Sequence, residues 1–154
     1  MNSDRPNSVN LDTHVPALLF ALGAKISLHA QRENARKLGL DMCEWRTVQI
    51  LGRDGPSTVI AVADRIAMDR GGTSRAVARL EKRGLVYRKP DLNDRRKSIV
   101  SLTEEGEHIH QNVVLFANER ETQLLKDLSE NERNELIKNL QTLTISIDQM
   151  LNGE

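Results

Sequence analysis

The chain has 154 residues, 38% of them hydrophobic and 29% charged, with one cysteine and a formal net charge of zero. That length suits one domain, or one domain with appended helices. No apolar run nears the roughly 18 residues needed to cross a bilayer, which excludes a membrane-spanning protein. A single cysteine excludes an intramolecular disulfide and makes the cytoplasm the expected compartment.

Residues 1–12 are polar and lack the basic and apolar succession of a signal peptide. Pro16 suits a first helical turn. Leu18, Leu19, Leu22 and Ile26 follow at helical spacing, and the pattern runs to Lys37 and stops at Gly39. Asp41 caps a second helix whose apolar side is Trp45, Val48, Ile50 and Leu51; Gly52, Asp54, Gly55 and Pro56 end it. A third helix starts at Ser57 or Thr58 and carries Ile60, Val62, Ala63 and Ile66. Asp69 to Gly72 read as a short connection, and a fourth helix runs from Thr73 to Arg83 before Gly84. Leu85 to Tyr87 and Ser98 to Leu102 read as two strands joined by the turn-formers Asp91, Asn93 and Asp94, which makes a hairpin. Thr103 opens a long helix through Ile109, Val113 and Phe116. Ser129 with Glu132 forms a capping box for a last helix. There Leu136, Leu140, Leu143, Ile147 and Met150 are spaced 4-3-4-3, a heptad-like seam that calls for a partner helix.

Charge is segregated along the chain. Residues 61–100 hold 11 Lys/Arg and 5 Asp/Glu, while the remainder holds 11 and 17. A basic quarter inside an acidic chain is an electrostatic footprint for a polyanion, although a solvated charged face has the same composition. Aromatics are only 3%, so stacking platforms for single-stranded nucleic acid are scarce.

The fourth helix has what groove reading requires. Val77 and Leu80 give a packing face. Thr73, Ser74, Arg75, Arg79 and Lys82 offer hydroxyls and cations along the rest. Arg pairs bidentately with guanine, and Ser and Thr bond bases or phosphates. For Arg79 two readings stand, a base contact and a phosphate or solvent contact. Gly71 and Gly72 would let backbone amides approach a phosphate. The hairpin carries Arg88, Lys89, Arg95, Arg96 and Lys97, a probe for phosphate or a narrow minor groove. Asp91 and Asp94 interrupt that run. They are expected to shape the turn and brace one arginine, leaving the other of Arg95 and Arg96 for DNA.

Three stretches taken in order resemble the MarR family of bacterial regulators. They are Leu80-Glu81-Lys82-Arg83-Gly84-Leu85-Val86, Asp91-Leu92-Asn93-Asp94-Arg95-Arg96, and Val100-Ser101-Leu102-Thr103-Glu104-Glu105-Gly106. The resemblance implies a mainly α fold with a small β-hairpin wing: a winged helix-turn-helix lobe at 40–103, flanked by dimerisation helices at 1–38 and 104–154. It implies a homodimer on a pseudo-palindromic operator, often a repressor released by a small-molecule effector. Ser74, Arg75 and Arg79 match recognition-helix positions, and Arg95 and Arg96 match the wing. The family's ligand pocket lies between the dimerisation helices and the lobe. Phe20, Met42 and Trp45 are candidates to line it here, with plain core packing as the competing reading.

Other chemistry is sparse. Cys43 stands near a helix start, but Asp41 and Glu44 beside it oppose a thiolate, which favours a small packed residue over a redox sensor. His108 and His110 are two apart on a helix and diverge, and His29 with Glu33 lacks a third ligand. No metal and no cofactor is expected. No nucleophile, base and orienter group together, so the chain does not read as an enzyme. The competing functions are a protein–protein adaptor that keeps the winged fold and a sequence-independent architectural DNA binder.

Overall fold

The computed structural model describes residues 9–91 and 98–153. Their elements run α1 (Val15–Leu38), α2 (Met42–Asp54), β1 (Ser57–Thr58), α3 (Val59–Ile66), α4 (Arg70–Lys82), β2 (Val86–Pro90), β3 (Ser98–Leu102), α5 (Glu104–Leu124) and α6 (Glu130–Asn152). The strands form an antiparallel sheet in the order β1-β3-β2, with Val86 opposite Leu102 and Ser57 opposite Val100. The expected architecture, helices around a small winged module, is present. The chain divides into two compact units with the boundary between Val114 and Leu115, inside α5.

Local chemistry sets the helix ends in the first unit. The Asp41 side chain accepts from the Glu44 amide at 2.8 Å, and the Glu44 carboxylate accepts from the Asp41 amide at 2.9 Å, a complete capping box for α2. Thr58 caps α3 through the Ala61 amide at 3.2 Å. Asp69 caps α4 through the Gly72 amide at 2.6 Å. That cap corrects the expected start of α4: the helix begins at Arg70, and Gly71 and Gly72 lie in its first turn, not in a connection. The strand after Gly84 also begins later than expected, at Val86. Leu85 turns into the core, donating its amide to the Leu80 carbonyl at 2.9 Å and accepting from the Thr103 amide at 3.1 Å. The two-residue β1 was not expected, since so short a strand shows no alternation.

The core of this unit lies where α2, α3, α4 and the sheet meet. Leu40, Val48, Val62, Val77, Leu80 and Val100 are fully buried, and Ala30 from α1 and Val113 from α5 join them. Burying each Val or Leu contributes about 1.5–3 kcal/mol, so α4 is anchored along one whole side.

Between α3 and α4 the chain turns through Ala67, the one described non-glycine residue at positive φ, 53°. Its conformation closes α3, with the Met68 amide bonded to the Ala63 carbonyl at 3.1 Å. A left-handed alanine costs about 1–2 kcal/mol, partly offset in a glycine variant by extra freedom of the unfolded chain. Ala67→Gly is therefore expected to stabilise the fold by about 0.5–1 kcal/mol, read as a raised urea midpoint. An unchanged or lowered midpoint would contradict this account of the turn.

The second unit holds the end of α5 and all of α6. Arg133 ties their turn together, donating to the Leu128 carbonyl at 3.0 Å and the Leu125 carbonyl at 2.8 Å. Ser129 and Glu132 form the expected capping box. No residue of α6 is buried within the single chain, and its seam residues Leu136, Leu140, Leu143 and Ile147 are 39–48% exposed. Among the described residues no helix is long and apolar enough to cross a membrane.

Candidate nucleic-acid interface

Helix α4 is two-faced. Thr73, Ala76, Val77 and Leu80, at helical spacing, point into the core. Ser74, Arg75, Ala78, Arg79 and Lys82 are exposed. Ser74, Arg75 and Lys82 are thus among the solvent-facing side chains of α4. Arg75 folds back over the first turn, near the open side of Gly71, and among the described residues Arg75 and Lys82 have no ion-pair partner.

Thr73 is a correction. It was expected at the DNA surface but is fully buried. Its hydroxyl donates to the Asp69 carbonyl at 3.0 Å and accepts from the Cys43 thiol at 3.9 Å, so it joins α4 to α2. The Gly72 amide is likewise taken by Asp69 and is not open to a phosphate. Burial pushes the Cys43 thiol pKa above its ordinary value, and the hydrogen bond to Thr73 opposes this only in part. A buried, protonated thiol is a poor nucleophile, which supports the packing reading.

Arg79 faces outward but is engaged. Its Nε donates to Glu44 Oε1 at 2.8 Å and its Nη2 donates to Asp41 Oδ2. The Glu44 bond is the main reason the guanidinium is held further above its ordinary range. Arg83 donates to the carbonyls of Gly39 at 2.9 Å and Leu38 at 3.1 Å. These contacts were missed from sequence, although Asp41 and Glu44 stand at capping-box spacing and mark that helix end.

In the wing, Arg88 on β2 pairs with Glu81 at 3.2 Å, and the Lys89 ammonium lies 5.0 Å from the centre of the Tyr87 ring. Asp91 is half-buried at the end of β2. Asp94, Arg95, Arg96 and Lys97 lie outside the described residues. The basic stretch is therefore less basic in space than in sequence, because Arg65, Arg79, Arg83 and Arg88 are each close to a carboxylate.

The candidate effector residues part company. Trp45 belongs to the core cluster, Met42 is half-buried, and Phe20 is 81% exposed on α1. A groove of about 270 Å³ lies elsewhere, lined by Arg46, Gln49, Ile50, Arg53, Arg65 and Ile66 of α2 and α3. Arg46 is fixed at its edge by Ser27 Oγ at 3.2 Å and stacks over Trp45. Among the described residues no three His, Cys, Asp or Glu side chains converge as metal ligands.

Comparison with known proteins agrees with this geometry. The MarR family model matches residues 38–97. YcgE of Bacillus subtilis, an uncharacterized HTH-type transcriptional regulator, is 34% identical over 108 residues, 70% of each chain. The homoprotocatechuate degradative operon repressor of Escherichia coli is 28% identical over 140 residues, 91% of this chain and 88% of that one. A solved MarR/EmrR family regulator from Acinetobacter sp. ADP1 superposes with a TM-score of 0.76 at 30% identity, covering 92% of this chain and 99% of that one. All three are named as transcriptional regulators or repressors. These matches, to a chain folded as a winged helix-turn-helix, identify it as a DNA-binding transcriptional regulator of the MarR family.

Proposed function

We propose that the protein is a homodimeric repressor that binds a pseudo-palindromic operator in the cytoplasm and is released by a small molecule. The observation that carries the reading is α4, whose buried side is anchored in the core while Ser74, Arg75 and Lys82 face outward. Ser74 and Arg75 lie toward its N-terminal half, the part of a recognition helix that approaches base edges. In this reading the wing residues Arg95, Arg96 and Lys97 reach the backbone or minor groove beside it. Arg88, paired with Glu81, supports the wing.

Residues 40–103 serve as the reading lobe, and 1–38 with 104–154 as the dimerisation region. The exposed seam of α6 supports a second copy as partner, as do the exposed Val15, Leu18, Leu19 and Leu22 of α1. Repression is supported by the E. coli relative, itself an operon repressor. Phe20 and Met42 remain candidates for effector contact, while Trp45 serves the core.

Arg75→Ala tests the reading. Arg75 is exposed and buries nothing, so the fold should survive. Loss of a bidentate base contact should weaken operator binding by about 1–3 kcal/mol, roughly 5- to 150-fold, and relax sequence preference at one position of each half-site. Fluorescence anisotropy on operator and single-base variants measures both. Full affinity with unchanged preference would remove Arg75 from that role.

A further inference from the structure

Arg79 lies one helical turn beyond Arg75 on the exposed side of α4. A free guanidinium there would meet the DNA that Arg75 meets. It is not free. Both of its bonded carboxylates belong to the N-terminal end of α2, and both are already in use. Glu44 is 5% exposed; one oxygen accepts from Arg79, and the other accepts from the Asp41 amide and lies 3.9 Å from Arg83. Asp41 caps the Glu44 amide with one oxygen and accepts from Arg79 with the other. Arg83, one turn further on, holds the carbonyl of Leu38 at the end of α1 and that of Gly39 just after it. The outer edge of α4 is therefore tied at two successive turns to the junction of α1 and α2.

Swinging Arg79 to a phosphate would strip a buried carboxylate of its partner, which costs far more than an exposed phosphate contact returns. The half-exposed Asp41 also sets a negative charge beside the Arg79 guanidinium, which would repel a phosphate brought to it. We propose that Glu44, with Asp41, is a positioning residue for DNA reading: it keeps Arg79 off the phosphate backbone and sets the angle of α4, so that discrimination between sequences depends on it. This rests on the reading of α4 as the recognition helix.

The test compares full-length wild type with Arg79→Ala, Glu44→Gln and the double variant. Binding is measured by anisotropy on operator and scrambled duplexes across a salt series, with thermal melting alongside. Each phosphate contact contributes about 0.9 to the slope of log affinity against log salt. Arg79→Ala is expected to keep the wild-type slope and to narrow the ratio of operator to scrambled affinity about tenfold. Glu44→Gln is expected to release Arg79, steepening the slope on scrambled duplex by about 0.9 and tightening that binding, and the double variant should return the slope to the wild-type value. If Glu44→Gln does not fold, Asp41→Asn, which weakens only the exposed half of the hold on Arg79, is expected to shift slope and scrambled-duplex affinity in the same direction by a smaller amount. A slope that falls by about 0.9 in Arg79→Ala would show a phosphate contact and overturn the proposal. A lowered melting temperature with slope and ratio unchanged in every variant would show only a structural brace and overturn it too. Wild-type protein that fails to prefer any operator would instead overturn the regulator reading itself.

Discussion

Gly106→Ala is expected to destabilise the protein by about 3 kcal/mol or more, seen as a large fall in the urea midpoint followed by circular dichroism. A Cβ at Gly106 would lie 2.0 Å from the Leu85 carbonyl oxygen and 3.2 Å from the Leu102 Cβ. The obstacle is backbone, and it is held from several sides. The Leu85 carbonyl accepts from the Thr103 amide at 3.1 Å. The Thr103 hydroxyl donates to the Gly84 carbonyl at 2.7 Å and accepts from the Gly106 amide at 3.0 Å. To make room, the first turn of α5 must lift away, losing some of these bonds at about 1 kcal/mol each and drawing Ile109 and Val113 off the core. Overpacking alone commonly costs about 1–3 kcal/mol. Gly23→Ala in α1 is the control, since nothing lies within 4 Å of its new Cβ, and its midpoint should hold or rise. A Gly106→Ala midpoint equal to wild type would contradict this packing.

Charging the α6 seam is expected to cost still more in function. Leu140 and Leu143 are 40% and 43% exposed in the single chain, so glutamates there disturb little of its own core. In a two-helix seam they would place like charges against apolar partners and their own copies. Leu140→Glu with Leu143→Glu should convert a dimer at micromolar concentration into a monomer by sedimentation velocity. Operator affinity should then fall about 100-fold or more, because the second half-site is no longer bound at high effective concentration. A wild-type monomer, or a charged variant that binds the operator as tightly as wild type, would contradict the proposed assembly.

Features set by near neighbours were legible in the sequence. Gly39 ending α1, Asp41 capping α2, Ser98–Leu102 as a strand, and the Ser129–Glu132 box depend on residues within a few positions. Thr73 was legible in principle: it shares the phase of Ala76, Val77 and Leu80, and its hydroxyl finds the Asp69 carbonyl one turn back, which makes burial affordable. Arg79 was not, because its carboxylates lie 35 and 38 residues earlier. Summed charge over residues 61–100 overstated the interface for the same reason. Gly106 was recognised within a family motif, but its cause, the close approach of the Leu85 carbonyl, exists only once α5 is docked.

Anisotropy titration of the full-length protein against the duplex upstream of its own gene, repeated across salt, tests the central claim most directly. A DNA-reading dimer should bind saturably, prefer that duplex to a scrambled one, and lose affinity linearly in log salt with a slope of several units. Binding that is absent, indifferent to salt, or equal on the scrambled duplex would contradict it.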